Sequence, residues 1–250
     1  MIQRSSPKLR LDQLLVDRGL ADTRTKAQAI VLSGRVFAGD RRLDKPGTPV
    51  PADLDLTVRG TEEWVSRGAG KLIAGLDAFA FDPSGLVCLD VGASTGGFTE
   101  VLLRRGAARV HAVDVGYGQL HESLRGDPRV VVHERTNARH LSEAEIPDPI
   151  DLVVCDASFI SLRTVLPAPM ALVRPAGALV ALIKPQFEVG KGRVGKGGVV
   201  RDPALHEEVC ADIAAWLGAQ SGWTVLGLVP SPVLGPAGNH EFLIGARHTG

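Results

Sequence analysis

Aromatic residues are nearly absent from this 250-residue chain: seven Phe, three Trp and a single Tyr make up 4%. Its core must therefore be built from Leu, Val, Ile and Ala. Cysteine is scarce too. Cys88, Cys155 and Cys210 are far apart, an odd count without metal-ligand spacing. That argues against a disulfide scaffold, and no bound metal is expected. Long hydrophobic runs are also missing. A run such as Leu179-Val-Ala-Leu-Ile183 falls far short of the roughly 20 residues a membrane span needs. The stretch Met1 to Arg10 is polar and basic and lacks the apolar centre of a signal peptide. These absences predict a soluble, cytoplasmic protein with no membrane contact.

Net charge is absent as well, but the zero hides an asymmetry. Residues 1–45 carry ten Lys/Arg against five Asp/Glu, leaving 18 against 23 for the rest. A short basic unit joined to a mildly acidic larger one suggests an appendage that binds a polyanion. The length fits one small and one large domain.

The basic unit begins with Leu11-Asp-Gln-Leu-Leu-Val-Asp-Arg-Gly19, a short amphipathic helix stopped by glycine. Asp22 or Thr23 can cap a second helix over 23–33 that buries Ala27, Ile30 and Val31, with Gly34 ending it. Strand-like pieces follow at 35–38, 41–43 and 54–58. Residues 1–58 thus read as a small α+β domain and 59–70, with Gly60, Gly68 and Gly70, as a linker.

From residue 71 to 250 the pattern changes. Apolar strands are expected at 86–90, 109–114, 130–132, 151–155, 178–183, 223–229 and 241–245. Helices are expected near 70–80 and at 97–105, 118–125, 161–173 and 203–218. Continuous apolar strands alternating with helices mean a doubly wound, mostly parallel α/β sheet of seven strands. The last two strands leave no room for a helix and are expected to form an antiparallel edge.

The strand ending at Asp90 runs into Gly92, Ser94, Thr95, Gly96, Gly97 and Phe98. A dinucleotide loop would read G-x-G-x-x-G. Here the spacing is G-x-x-x-G-G, with an acid two positions before the first glycine. An acid there repels a pyrophosphate and suits a ligand with a cationic amine and sulfonium, namely S-adenosylmethionine. The next strand ends in Asp114, where a carboxylate can accept from both hydroxyls of a ribose. Asn137, after the third strand, lies where an adenine contact belongs.

Two later strands end in Asp156 and Lys184. Ligands of open parallel sheets sit at the carboxyl ends of strands, so both should converge on the glycine loop. A Lys directly after an apolar strand must be paired, and Asp156 is the available partner. A ribose hydroxyl loses its proton as it attacks a methyl group, and a desolvated Lys can serve as the base. Lys71, Glu241 and the basic loop residues Lys191, Arg193 and Lys196 are candidates to surround that pair, the loop suiting a phosphate backbone. On residue type alone, Lys71 and Glu241 are no more than structural.

At this point the chain resembles the TlyA family of ribosomal RNA ribose 2′-O-methyltransferases over about residues 8–247. The N-terminal unit is similar to an S4 RNA-binding domain in Arg10-Leu-Asp-Gln-Leu-Leu15, Thr23-Arg24, Ala27, Gly34-Arg-Val36 and Lys45-Pro46. The larger unit is similar to the FtsJ-like branch of class I, Rossmann-like methyltransferases. That similarity lies in Ser66-Arg-Gly68 with Lys71, Asp90 to Gly97, Asp114 to Gln119, Glu134 to Asn137, Ser158-Phe-Ile-Ser161, Lys184-Pro-Gln-Phe-Glu188 and Gly238-Asn-His-Glu241. The resemblance implies a catalytic tetrad of Lys71, Asp156, Lys184 and Glu241. It implies S-adenosylmethionine as cofactor, with Asp156 among the residues around it. It implies a cytidine ribose of 23S rRNA as substrate, and in some members a second one in 16S rRNA. Members acting on both subunits tend to have longer termini than this chain, which ends at Gly250. The RNA-binding residues expected are Arg10, Arg24, Lys26, Arg35 and Lys45, with Lys191, Arg193 and Lys196 beside the catalytic strand. A monomer that meets ribosomal subunits is expected. Some members carry a haemolysin label, but nothing in the sequence supports pore formation. A binding module without essential catalysis is the competing reading, and a nicotinamide-linked oxidoreductase is disfavoured by the glycine spacing.

Overall fold

A computed structural model describes residues 7–21, 23–58, 64–190 and 192–250. The chain divides into two compact units, Met1–Glu63 and Trp64–Gly250.

In the first unit, strand β1 (Lys8–Arg10) leads into helix α1 (Leu11–Asp17), and α2 (Arg24–Leu32) follows. The Thr23 hydroxyl accepts from the Lys26 N–H at 3.2 Å and caps α2; Asp22, the alternative cap, lies outside the described residues. Strands β2 (Val36–Ala38), β3 (Arg41–Arg42), β4 (Pro49–Pro51) and β5 (Thr57–Val58) complete the unit. The expected sheet forms from β3, β2 and β5. A second pairing, β1 with β4, has no counterpart in the sequence reading, because three residues are too few to show a period. Leu11, Leu15, Ala27, Val31 and Val36 are fully buried between these elements.

The second unit opens with α3 (Gly68–Ala78), so Gly68 and Gly70 lie in a helix rather than in a linker. Then come β6 (Val87–Val91), α4 (Gly97–Arg104), β7 (Arg109–Val113), α5 (Glu122–Arg125), β8 (Val130–His133) and β9 (Ile150–Cys155). After these follow α6 (Leu162–Val165), α7 (Pro167–Ala171), β10 (Val173–Ile183), α8 (Pro185–Glu188), α9 (Pro203–Gly218), β11 (Trp223–Pro230) and β12 (Phe242–His248). Two expected helices are shorter. Residues 118–121 are not helical, since Gly118 takes a left-handed φ of +67°. The helix expected at 161–173 is two short ones, α6 and α7, the second starting at Pro167. Proline lacks the N–H an uninterrupted helix would use.

The seven strands pair in the order β11-β12-β10-β9-β6-β7-β8. The chain starts in the middle at β6, walks out to β8, then returns to the other side of β6 with β9. Between β6 and β9 lies the switch point where open α/β sheets bind ligands. Alternate residues serve the two faces: Cys88, Val154, Val180 and Leu243 pack toward α3 and α4, whereas Leu89, Val153, Leu179 and Ile244 pack toward α6, α7 and α9. The last two strands form the expected antiparallel pair at one side of the sheet. β12 inserts between β10 and β11, leaving β11 outermost.

Candidate active site

Four strand ends converge at the switch point. β6 delivers the glycine loop, β7 Asp114, β9 Asp156 and β10 Lys184. β12 runs the opposite way, so its beginning meets their ends. Ile183 pairs with Phe242, which puts the preceding residue, Glu241, beside Lys184.

A cavity of about 360 Å³ opens here, a size suited to a small cofactor. Gly92, Ser94, Asp114, Asn137, Asp156 and Ser158 line it, with Val115, Ile160 and Val165 as apolar wall. Asp114 is held by backbone donors: its oxygens accept from the N–H of Ser94 at 2.9 Å and of Gly116 at 2.7 Å. Each carboxylate oxygen keeps a further lone pair. The donor set fits S-adenosylmethionine, because two acids and an amide share one cavity with an apolar wall.

The glycine loop is built differently from its sequence reading. Gly92, at φ +83°, does lie at the cavity; a Cβ there would come within 2.9 Å of the Ala157 Cα on the neighbouring loop. Gly96, at φ +100°, faces the other way, and its Cβ would meet Leu124 Cδ1 at 2.2 Å and Leu120 Cδ1 at 2.8 Å. Gly97 is pressed against Ser66. A side chain at either position would collide with protein. Phe98 is buried in the core, and exposed Thr95 is not in the cavity wall. Asp90 is not in the wall either. It is fully buried, its Oδ2 accepts from the Thr99 hydroxyl at 2.6 Å, and its Oδ1 has no partner among the described residues. Burial pushes the Asp90 carboxyl up to about 7, against the pull of the Thr99 hydroxyl.

Beside the cavity runs a line of alternating charges. Lys184 Nζ lies 2.5 Å from Asp156 Oδ1, Lys71 Nζ lies 3.8 Å from Asp156 Oδ2, and Lys71 Nζ donates to Glu241 Oε2 at 2.7 Å. Lys71, Lys184 and Glu241 are 7%, 6% and 1% exposed. Such groups are tolerated inside only when paired, as these are. All four members of the implied tetrad are therefore neighbours.

Basic residues expected to meet RNA are partly committed to the fold. Arg10 and Arg24 both donate to the buried carboxylate of Asp12, which their guanidiniums and the Gln28 amide hold well below the usual carboxylate range. Arg193 is gripped by Glu208 on α9 through two bonds of 2.5 and 2.6 Å, so it does not join the tetrad. Lys26, Lys45 and Lys196 are exposed and Arg35 is half-buried. Lys191 lies outside the described residues.

Sequence reasoning missed three neighbours of the site. Ser158 accepts from Lys184 Nζ at 2.8 Å. Phe159, 90% exposed in a left-handed conformation, packs on Phe187 with ring centroids 5.1 Å apart. Asn239 is buried, accepting from the Val200 N–H and donating to the Gly198 carbonyl, so it anchors the end of the basic loop. The sequence signal for Ser158 was its place in the stretch Ser158-Phe-Ile-Ser161, to which no role was attached.

Sheet order, switch-point cavity and acidic glycine loop define the class: this is a class I methyltransferase fold, and the FtsJ-like methyltransferase family matches residues 64–248. The S4 domain family matches residues 9–56. The chain is 52% identical, over 96% of its length and 90% of the relative's, to the 16S/23S rRNA (cytidine-2′-O)-methyltransferase TlyA of Mycobacterium tuberculosis. It is 46% identical to the Bacillus subtilis protein YqxC over 96% of this chain and 86% of that one. A solved Streptococcus thermophilus structure, named as a hemolysin, is 39% identical with a TM-score of 0.74, covering 98% of this chain and 90% of that one. The chain belongs to the TlyA family, in which an S4 domain precedes an FtsJ-like methyltransferase domain.

Proposed function

We propose that this protein methylates the ribose 2′-hydroxyl of a cytidine in ribosomal RNA, in the cytoplasm, with Lys184 as general base. The observation that carries the reading is the line Lys184–Asp156–Lys71–Glu241, buried beside the switch-point cavity. When bound, S-adenosylmethionine supplies an electrophilic methyl group. Gly92, Ser94, Asp114 and Asn137 would hold it, Asp114 through lone pairs left free by Ser94 and Gly116. Asp156 fixes the Lys184 amine and is shared with Lys71, while Glu241 holds Lys71 in place. Lys184 takes the hydroxyl proton, a role worth about 10²–10⁴-fold in rate. The S4-like unit, through Lys26, Arg35 and Lys45, and the Gly-rich loop, through Lys196, bind phosphates. The M. tuberculosis relative's name carries both 16S and 23S rRNA; 23S is the substrate proposed here. Among the described residues no helix is long and apolar enough to cross a membrane.

The test is to incubate the purified protein with ribosomal subunits and methyl-labelled cofactor, then map the label. Label on a cytidine 2′-oxygen of 23S rRNA, lost in Lys184→Ala, is expected. Label on a base, or none on any ribosomal substrate, would overturn the proposal. A cellular role that persists in Lys184→Ala would show that RNA binding alone is the function.

A further inference from the structure

A deeper inference concerns the path of the proton, and it rests on the methyl-transfer reading. Lys184 is not in the wall of the cavity and is nearly inaccessible. Ser158 is exposed and does line the cavity. Of these two hydrogen-bonded groups, it is the Ser158 hydroxyl that is presented at the cavity surface.

The hydrogen-bond inventory of Lys184 leads to the same residue. Its Nζ donates to Ser158 Oγ at 2.8 Å and to the Asp156 backbone carbonyl at 3.1 Å, and it is ion-paired with Asp156 Oδ1 at 2.5 Å. An ammonium has three N–H groups and can serve all three. The neutral amine, the form that accepts a proton, has two N–H groups and one lone pair. A neighbour that hands a proton to that lone pair must itself be able to donate. A carboxylate and a carbonyl only accept, whereas a hydroxyl does both. Ser158 is the partner in that set that can reverse its role.

The surrounding loop holds this geometry. Glu188 accepts from the Ser161 hydroxyl at 2.6 Å and from the Leu162 N–H at 2.8 Å, and Phe159 packs on Phe187. The loop carrying Ser158 is thus pinned to the segment that begins at Lys184.

We propose that Ser158 is a catalytic residue that relays the proton from the substrate hydroxyl to Lys184. As the ribose oxygen attacks the methyl carbon, its O–H bond breaks and Ser158 Oγ takes that proton. The Ser158 O–H bond breaks in turn, and its proton goes to the lone pair of Lys184 Nζ. The electron pair left on the ribose oxygen forms the new O–CH₃ bond, and the electrons of the broken carbon–sulfur bond stay on sulfur. Serine is regenerated, and Lys184 ends as an ammonium facing Asp156.

Single-turnover methylation of the ribosomal substrate, with enzyme in excess, tests this in wild type, Ser158→Ala, Ser158→Thr and Lys184→Ala. Ser158→Ala should slow the chemical step at saturating cofactor by about 10²-fold, the scale of general acid–base catalysis. Ser158→Thr, which keeps the hydroxyl, should recover most of the rate. The wild-type rate should curve downward against the fraction of heavy water, two protons moving together, and the Ser158→Ala plot should be straight. A wild-type rate in Ser158→Ala with Lys184→Ala inactive overturns the relay and leaves Lys184 as base. Equal losses in the Ala and Thr variants with a straight wild-type plot also overturn the relay. A wild-type rate in Lys184→Ala overturns both readings.

Discussion

At the residue scale, Asp90 separates two things that look alike in a sequence, an acid that touches a ligand and an acid that supports a loop. Its carboxyl is enclosed at the switch point and tied to Thr99, with one oxygen unpartnered among the described residues. Burial raises it from 3.8 to about 7. Between those values the fold binds more protons than the unfolded chain, so stability falls as pH rises. The contribution is fully present below 3.8 and lost by about 7. Asp90→Asn does not titrate. Its melting temperature relative to wild type should therefore be higher at pH 8 than at pH 4.5; a difference independent of pH would contradict this. Asp156 and Lys184 were legible as a pair because a charge at the end of an apolar strand must find a partner. Lys71 and Glu241 had no such signal, since one sits in a helix and the other before a strand whose direction the sequence does not declare.

At the element scale, the glycine loop shows why a motif identifies a site more reliably than it identifies contacts. Gly92 faces the cavity, but Gly96 and Gly97 are small because Leu120, Leu124 and Ser66 occupy the space a side chain would need. Gly96→Ala should destabilise the protein by about 1–3 kcal/mol, the usual cost of overpacking, with further strain from its positive φ. Denaturant unfolding measures this, and a loss of cofactor affinity without a loss of stability would count against it. Long elements such as α9 were visible because 16 residues reveal a period. The pair α6 and α7 was not, because four- and five-residue helices are shorter than the pattern that would reveal them.

At the scale of the whole molecule, two units with separate cores divide the work. Deleting residues 1–60 should weaken RNA affinity and flatten its dependence on salt, because fewer phosphates are neutralised, while cofactor affinity stays close to that of the full chain. Filter binding across a salt series and calorimetric titration would check both halves, and unchanged RNA affinity would contradict the assignment. The sequence by itself determined the two-unit plan, the parallel sheet, the glycine loop and the pairing of Asp156 with Lys184. Each follows from local patterns: apolar runs, glycine spacing and the cost of an unpaired buried charge. Only the tertiary structure decided that Lys71 meets Glu241 across 170 residues, that Ser158 lines the cavity and bonds to Lys184, and that half of the glycine loop packs on protein. The insertion of β12 antiparallel between β10 and β11 brings the start of one strand to the end of another, and strand order is a property of the assembled sheet that no local pattern encodes.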